Sequence, residues 1–437
     1  MKRFCNNLLF VLNISWIFIY EYLLYKVFDD LYLFVLRITD KLAESNILYV
    51  KIFQAIALNY NLIDDRINDE LLKYTDNAPW DKSEIDMNSL YHLEDDMNIS
   101  FEYGFEPINS GMISLVFKAR DKLKHKDVII KIKRKNIETK LRQGLENLKF
   151  MVNILSYLPM FNYYRENIND IIDKNINLIM NQTNFDLEIK NMMKIKNNCN
   201  KLKYIVIPEV QHYVTKKYPN IIYMDYVEGL KINKIDPNDY NEFAKLVLKF
   251  GIVTTMIHGF SHGDLHSGNI LFIKDNEDNN YPYKIGVLDF GVMYEIENSF
   301  RVKLFGILTE IFTSSAEIIT EKIIDTGLIE PINVIKNLPK YHYQNINNMI
   351  INILNDTLYD SKNANQSKIY YFIKKLNNYL KSNELIKYGI RPSANFVKTQ
   401  LALAMAHGIT LTLCKNDFIP LIEKVIEEMF HTNLIKE

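Results

Sequence analysis

The sequence predicts an α+β chain: an N-terminal helical extension, a small lobe of five short strands, and a large helical lobe. Three observations predict it. From Phe101 onward the texture changes to short β-rich runs separated by polar turns, with a helical excursion after the third run. After about Asn241 apolar residues recur at helical spacing, except near residues 270–290. The length, 437 residues, exceeds one small domain and suggests two or three structural units. Hydrophobic residues at 48% and charged residues at 24% exclude wholesale disorder. With 52 Lys+Arg against 53 Asp+Glu the net charge is -1, so no basic field points to nucleic acid. Cys5, Cys199 and Cys414 are scattered, form no disulfide framework or paired metal spacing, and fit a reducing, intracellular compartment.

The expected organisation is an apolar N-terminal helix over 1–40, a helical extension over 41–100, the small lobe with a helical insertion over 101–226, and the helical lobe over 227–437. Lys2 and Arg3 precede an apolar run from Leu8 to Tyr20, and Glu21, Lys26, Asp29 and Asp30 interrupt the stretch that continues to Leu36. A spanning helix needs about 20 apolar residues, more than the clean run offers. On a helical wheel the four charges take about half the circumference and leave an apolar half. Three readings stand: a signal-anchor helix, an interfacial helix lying on a bilayer, and a core helix. The absence of a small-residue cleavage site argues against a removed signal peptide, and the scarcity of Arg and Ser against a transit peptide.

Within 38–100 the pattern reads as helices with loops, broken at Asn77-Ala78-Pro79 and Glu94-Asp95-Asp96. The small-lobe strands are expected at Phe101–Phe105, Ile113–Ala119, Val128–Ile132, Tyr204–Ile207 and Ile221–Tyr226, the last two joined across Lys216–Asn220. Leu141, Leu145, Leu148 and Val152 mark the helical excursion. In the large lobe, Ile270–Ile273 and Ile285–Leu288 read as strands around the polar loop Asp275–Asn280, and Leu401–Leu413 reads as a core helix.

The densest chemistry lies in His262-Gly263-Asp264-Leu265-His266-Ser267-Gly268-Asn269, followed by Asp289-Phe290-Gly291. Phosphoryl transfer needs one carboxylate beside the attacking oxygen, and an amide and a second carboxylate to hold Mg²⁺ against the phosphates. Asp264 with Asn269 five residues on has the catalytic-loop spacing, and Asp289 after an apolar strand has the place of the metal-binding carboxylate. Asp and Asn also favour turns for local reasons, but both motifs in this order are hard to assign to turns alone. His258, His262 and His266 recur every four residues and could line one helix face around zinc; Gly259, Gly263 and Gly268 argue against a continuous helix. Upstream, Lys131 in Val128-Ile129-Ile130-Lys131 reads as the strand lysine that contacts ATP phosphates and needs a carboxylate partner. A lysine there can also shield an edge strand. Glu188 is the partner, although its local sequence fits a solvated helix residue equally well. Between the first two strands stand Asn109, Ser110, Gly111 and Met112, with one glycine where a phosphate-cradling loop would carry several.

From about Leu48 to about Glu295 the chain resembles the UbiB/ABC1/ADCK family of atypical kinase-like proteins. Lys51-Ile52-Phe53-Gln54 looks like that family's Lys-x-Gly-Gln motif with Phe53 in place of glycine. Asn109–Met112 stands where its alanine-rich loop is expected, and Gln182-Thr183-Asn184 occupies its Glu-x-Asp position with both acids replaced by amides. Lys131, Glu188, Asp264, Asn269 and Asp289 match its core pattern, and Val227-Glu228-Gly229 its hinge. The resemblance implies a two-lobed protein-kinase-like fold that binds ATP with Mg²⁺. Lys131 and Glu188 would serve the phosphates and Asp264 the acceptor. Asn269 and Asp289 would hold metal, Met224 and Tyr226 the adenine, and Lys51 and Gln54 would close over the nucleotide. It also implies action near a lipid or membrane surface, a mitochondrial setting, and coenzyme Q biosynthesis. Two rivals remain: a small-molecule phosphotransferase of the aminoglycoside/choline kinase type, and a non-catalytic nucleotide-dependent membrane scaffold.

Overall fold

The computed structural model describes residues 2–49, 78–155, 179–310, 314–358 and 382–414, with a few isolated positions besides. It has two units. The first comprises Met1–Asn197, Val206–Glu228 and Gly286–Val292; the second comprises Asn198–Ile205, Gly229–Ile285 and Met293–Glu437.

The first unit begins with α1 (Lys2–Phe28) and α2 (Leu31–Ser45), a helical pair joined at Asp30, whose carboxylate caps α2 by accepting from Leu33 N. The inner stripe of α1 includes Ile14 and Glu21, both buried. Glu21 is bonded to Lys41 and lies 3.9 Å from Arg37, both on α2. Leu9, Leu12, Trp16, Ile19, Leu23 and Val27 are exposed. This departs from the wheel drawn on the sequence, because one of the four charges lies in the packed stripe and the exposed face is apolar. A wholly buried core helix is thereby excluded.

Next come α3 (Met87–Met97), β1 (Ile99–Phe101), β2 (Asn109–Ser110), β3 (Ser114–Asp121), β4 (Lys126–Lys133), α4 (Ile137–Leu155) and α5 (Phe185–Asn198). After β5 (Ile205–Val206) follow α6 (His212–Lys217) and β6 (Ile221–Asp225). The sheet of the first unit has five strands, in the order β1-β3-β4-β6 with β2 also paired to β3, all antiparallel. Two expectations change here. The fifth strand is Asn109–Ser110, not Tyr204–Ile207; β5 is short and joins a different sheet. Of the expected loop Lys216–Asn220, Lys216 and Lys217 are helical, as the end of α6, and the rest is the loop.

Side-chain alternation gives this sheet two faces. Leu115, Phe117 and Ala119 of β3, Val128, Ile130 and Ile132 of β4, and Ile221 and Tyr223 of β6 form one apolar core with Leu90, Leu93 and Val214. The opposite face carries Val116, Lys131 and Ile222 in one cross-strand row.

In the second unit, α7 (Tyr240–Ile252) packs against the C-terminal helix so closely that a Cβ on Gly251 would lie 2.5 Å from Ala406 Cβ. A wide turn (Val253–Ile257) then leads through Gly259, at φ +63°, into β7 (Phe260–His262). Any side chain at 259 would be strained in backbone and would meet the Arg301 side chain, which donates to Met256 O at 3.1 Å. The β8 (Ile270–Lys274) and β9 (Tyr283–Val287) strands follow, and β9 lies between β5 and β8. Next, β10 (Met293–Glu295) pairs with β7. The helices α8 (Asn298–Glu310), α9 (Ala316–Thr326), α10 (Ile332–Lys336) and α11 (Lys340–Leu358) surround a second core containing Ile319, Ile335 and Ile346. The short strands β11 (Ile329–Glu330) and β12 (Arg391–Pro392) pair, and α12 (Ala394–Leu413) buries Ala402, Ala406 and Ile409, as its apolar pattern predicts. The second unit is thus less purely helical than expected, because β7, β10, β11 and β12 are too short to leave a periodic signal.

Candidate functional site

Lys131 lies on an interior strand, flanked by β3 and β6, and its residue is only 7% exposed. The edge-shielding reading therefore does not apply. Its Nζ donates to Glu188 Oε1 at 2.6 Å and to Asp289 Oδ2 at 2.7 Å. Glu188, in the first turn of α5, is 2% exposed, which excludes the solvated reading. The Phe185 ring lies 5.8 Å from the same ammonium. Helix α5 is placed by Asn184, whose Oδ1 accepts from Leu187 N at 3.1 Å. Asn191 Nδ2 donates to Phe290 O at 3.0 Å, and Gly291 N donates to Asp289 Oδ1 at 2.9 Å. A Cβ at Gly291 would approach Asp289 Oδ1 to 3.3 Å, so glycine keeps the carboxylate uncrowded.

Burial alone would lower the Lys131 pKa, but the charges of Asp289 and Glu188 outweigh it and hold the ammonium above its ordinary value. Glu188 is pushed up to about 7, chiefly by burial and against the attraction of Lys131. One ammonium shared by two carboxylates is an arrangement with negative charge in excess, suited to an incoming cation.

The loop before β3 divides by face. Asn109 pairs with Val116, which pairs with Lys131, so Asn109 joins the lysine's row. Ser110 falls on the core face; its hydroxyl donates to Ala78 O and accepts from Arg134 Nη2 at 2.9 Å. A side-chain role for Ser110 toward nucleotide does not fit that placement. Gly111 N closes a turn onto Ser114 O at 2.9 Å, and Met112 is buried. Met224 pairs with Ile129, on the lysine's face, and Tyr226 follows in the same alternation with Lys118 Nζ 4.9 Å above its ring. Gln182 Cγ lies 3.9 Å from the Cβ position of Gly291, placing that amide beside the Asp289 turn. Lys51 and Gln54 lie outside the described residues.

The second unit holds the other motif. Buried His262, at the end of β7, accepts from Asp264 N through Nδ1 at 3.1 Å. Asn269 Nδ2 donates to Asp264 O at 3.0 Å, and His266 N donates to the same oxygen at 3.1 Å. His266 Nδ1 caps the tight turn Ser267–Asn269 by accepting from Gly268 N at 3.1 Å. Below the strand, Ser261 Oγ is 2.8 Å from Thr255 Oγ1. His258, His262 and His266 thus stand on a turn, a strand and a capped turn, not on one helix. Among the described residues, no group of three or more His, Cys, Asp or Glu could hold a metal ion. The Asn269 bond uses its amide nitrogen, so the amide oxygen is its acceptor end. That oxygen, like the Asp289 carboxylate of the first unit, is a hard donor of the kind Mg²⁺ takes and zinc does not prefer.

Sequence reasoning passed over Arg134. It is 2% exposed and donates to Gly111 O, Pro79 O, Glu84 Oε2 and Ser110 Oγ. The signal was present: inward residues at 128, 130 and 132 continue to 134.

Comparison with known proteins shows the family. The family model described as the ABC1 atypical kinase-like domain matches residues 75–323. "Protein ACTIVITY OF BC1 COMPLEX KINASE 8, chloroplastic" of Arabidopsis thaliana is 24% identical over 68% of this chain and 39% of that protein. "Probable protein kinase UbiB" of Shewanella baltica is 26% identical over 59% of this chain and 47% of that protein. The chain thus spans less than half the length of these relatives. A solved Mycobacterium tuberculosis protein, in complex with erythromycin, shares the fold at a TM-score of 0.50 and 15% identity, over 82% of this chain and 87% of that one. The fold is α+β and kinase-like, with a small β lobe, and the chain belongs to the ABC1 atypical kinase-like domain family.

Proposed function

We propose that the chain binds ATP with Mg²⁺ and catalyses phosphoryl transfer or ATP hydrolysis. The observation that carries this reading is the Lys131 ammonium held between Glu188 and Asp289. Family membership supports a phosphotransferase-type enzyme. Bound Mg-ATP would supply the phosphoryl group and neutralise its charge as it moves. In this reading Lys131 grips the phosphates, and Glu188 keeps the lysine extended and charged. By the family resemblance, Asn269 and Asp289 would offer oxygens to the metal. Asp264, fixed by His262 and Asn269, orients the acceptor or takes its proton, and that acceptor is a hydroxyl or water. Asn109, Gly111 and Met112 bound the phosphate end, and Met224 and Tyr226 the adenine end.

Residues Asn7–Phe28 of α1 are long and apolar enough to cross a membrane, and much of that face is exposed. With the family resemblance, this supports a chain acting at a membrane surface on isoprenoid-lipid metabolism, coenzyme Q among its products. The named relatives are a chloroplastic and a bacterial protein, so likeness to them does not single out mitochondria.

One observation favours a second reading. Gln182 and Asn184 are neutral, and Asn184 is occupied in capping α5. A non-catalytic nucleotide-dependent scaffold would tolerate this loss of acidic groups. ATP turnover by the native chain and by Asp264→Asn, with and without phospholipid vesicles, separates the two. The enzyme reading expects Asp264→Asn to bind nucleotide normally but turn it over about 100-fold more slowly or worse. If both proteins bind and neither turns over, the scaffold reading stands.

A further inference from the structure

We infer that Arg134 is a positioning residue that sets the Asn109–Met112 loop against the Lys131 face, and so sets nucleotide affinity. The inference rests on the ATP reading of that face. Arg134 sits three residues beyond Lys131, just past the end of β4. Its backbone N donates to Ile113 O at 2.9 Å. Its guanidinium donates to Gly111 O at 3.0 Å through Nε, to Pro79 O at 2.7 Å and Glu84 Oε2 at 2.6 Å through Nη1, and to Ser110 Oγ at 2.9 Å and Ala78 O at 3.4 Å through Nη2. The loop is therefore held at Ser110, Gly111 and Ile113 from one residue.

The geometry needs arginine. Five acceptors lie around one planar fork, and three of them are backbone carbonyls, Gly111 O of the loop and Ala78 O and Pro79 O of the segment before α3. A lysine keeps the charge for Glu84 but reaches too few acceptors in too few directions. The charge is balanced: Glu84 accepts from Arg134 and also from Lys140 on α4. With Ser110 turned to the core face, Asn109 is left on the lysine's row one residue away. The height of that row over Lys131 is thus set from the opposite face of the sheet, by a group that touches no nucleotide. The loop closes one turn of its own, Gly111 N to Ser114 O, and the ties to Arg134 hold the rest.

The test compares the native chain, Arg134→Lys and Lys131→Met in titrations with Mg-ATP, together with hydrogen exchange of the 109–114 amides in the absence of nucleotide. Arg134→Lys is expected to raise the dissociation constant for Mg-ATP about tenfold, as loss of charge-assisted bonds would. It should speed exchange in 109–114 and leave exchange in 128–132 unchanged. Normal affinity in Arg134→Lys, with a native chain that binds, overturns the positioning role while the ATP reading survives. Faster exchange across both segments also overturns it, since Arg134 would then act on the whole sheet. A native chain that does not bind Mg-ATP sinks the ATP reading, and the nucleotide role of Arg134 with it; the exchange data then report on the loop ties alone.

Discussion

The two faces of the first unit's sheet solve opposite problems. One buries Phe117, Ile130 and Tyr223 among apolar neighbours, with its buried charge, Arg134, fully bonded at one end. The other, a peptide's thickness away, buries Lys131 and Glu188. Removing two charges from water costs more than their attraction reliably returns, so the second face is a poor way to stabilise a fold. The chain keeps it against that cost, as expected if this face serves a ligand rather than stability. If the contrast is right, the faces respond differently to substitution.

The largest effect is expected on the dry face. Phe117→Ala leaves a cavity beside Phe101 and should cost about 3–5 kcal/mol in chemical denaturation. On the charged face, Lys131→Met strands Glu188, which relieves part of the penalty by taking a proton, so about 3 kcal/mol is expected. The sharper contrast is the double change Lys131→Met with Glu188→Leu, which should restore stability to near native while nucleotide binding stays lost. No second substitution of that kind rescues Phe117→Ala. If the double variant is as unstable as the single, the face is structural and the comparison fails.

A smaller effect concerns pH. The Glu188 carboxyl titrates at about 7 in the folded chain against an ordinary 4.5. Between those values the folded state keeps a proton that the unfolded chain releases. On this group alone, stability is highest below about 4.5 and falls as pH rises through about 7. Glu188→Gln removes that slope. Melting temperatures of both proteins from pH 4.5 to 7.5 should diverge in slope; parallel curves would show that the folded carboxyl titrates normally.

Much of this face was legible because its residues lie on regular elements. A strand lysine, a helix carboxylate and an aspartate after a strand each have a periodic context, and the structure brings Lys131, Glu188 and Asp289 within direct hydrogen-bond reach. What escaped was set by tertiary partners. Two-residue strands such as Asn109–Ser110 and Ile205–Val206 carry no period, so their pairing could not be read. Lys216 and Lys217 read as part of a polar connection because the helix they end is only six residues long. Arg134 stands between two lysines just past the strand, where strand alternation carried one step further turns it inward. The burial of Glu21 reversed the expected wheel of α1 because Lys41 and Arg37 come from the next helix.

The central claim is that the Lys131 face exists for a nucleotide. The most direct measurement is the shift in melting temperature on adding ATP or ADP, with and without Mg²⁺, for the native chain and Lys131→Met. The account predicts a clear upward shift for the native chain, larger with Mg-ATP than with ATP alone, and little or none for Lys131→Met. Equal shifts in both proteins, or no shift in the native chain at saturating Mg-ATP, would contradict it.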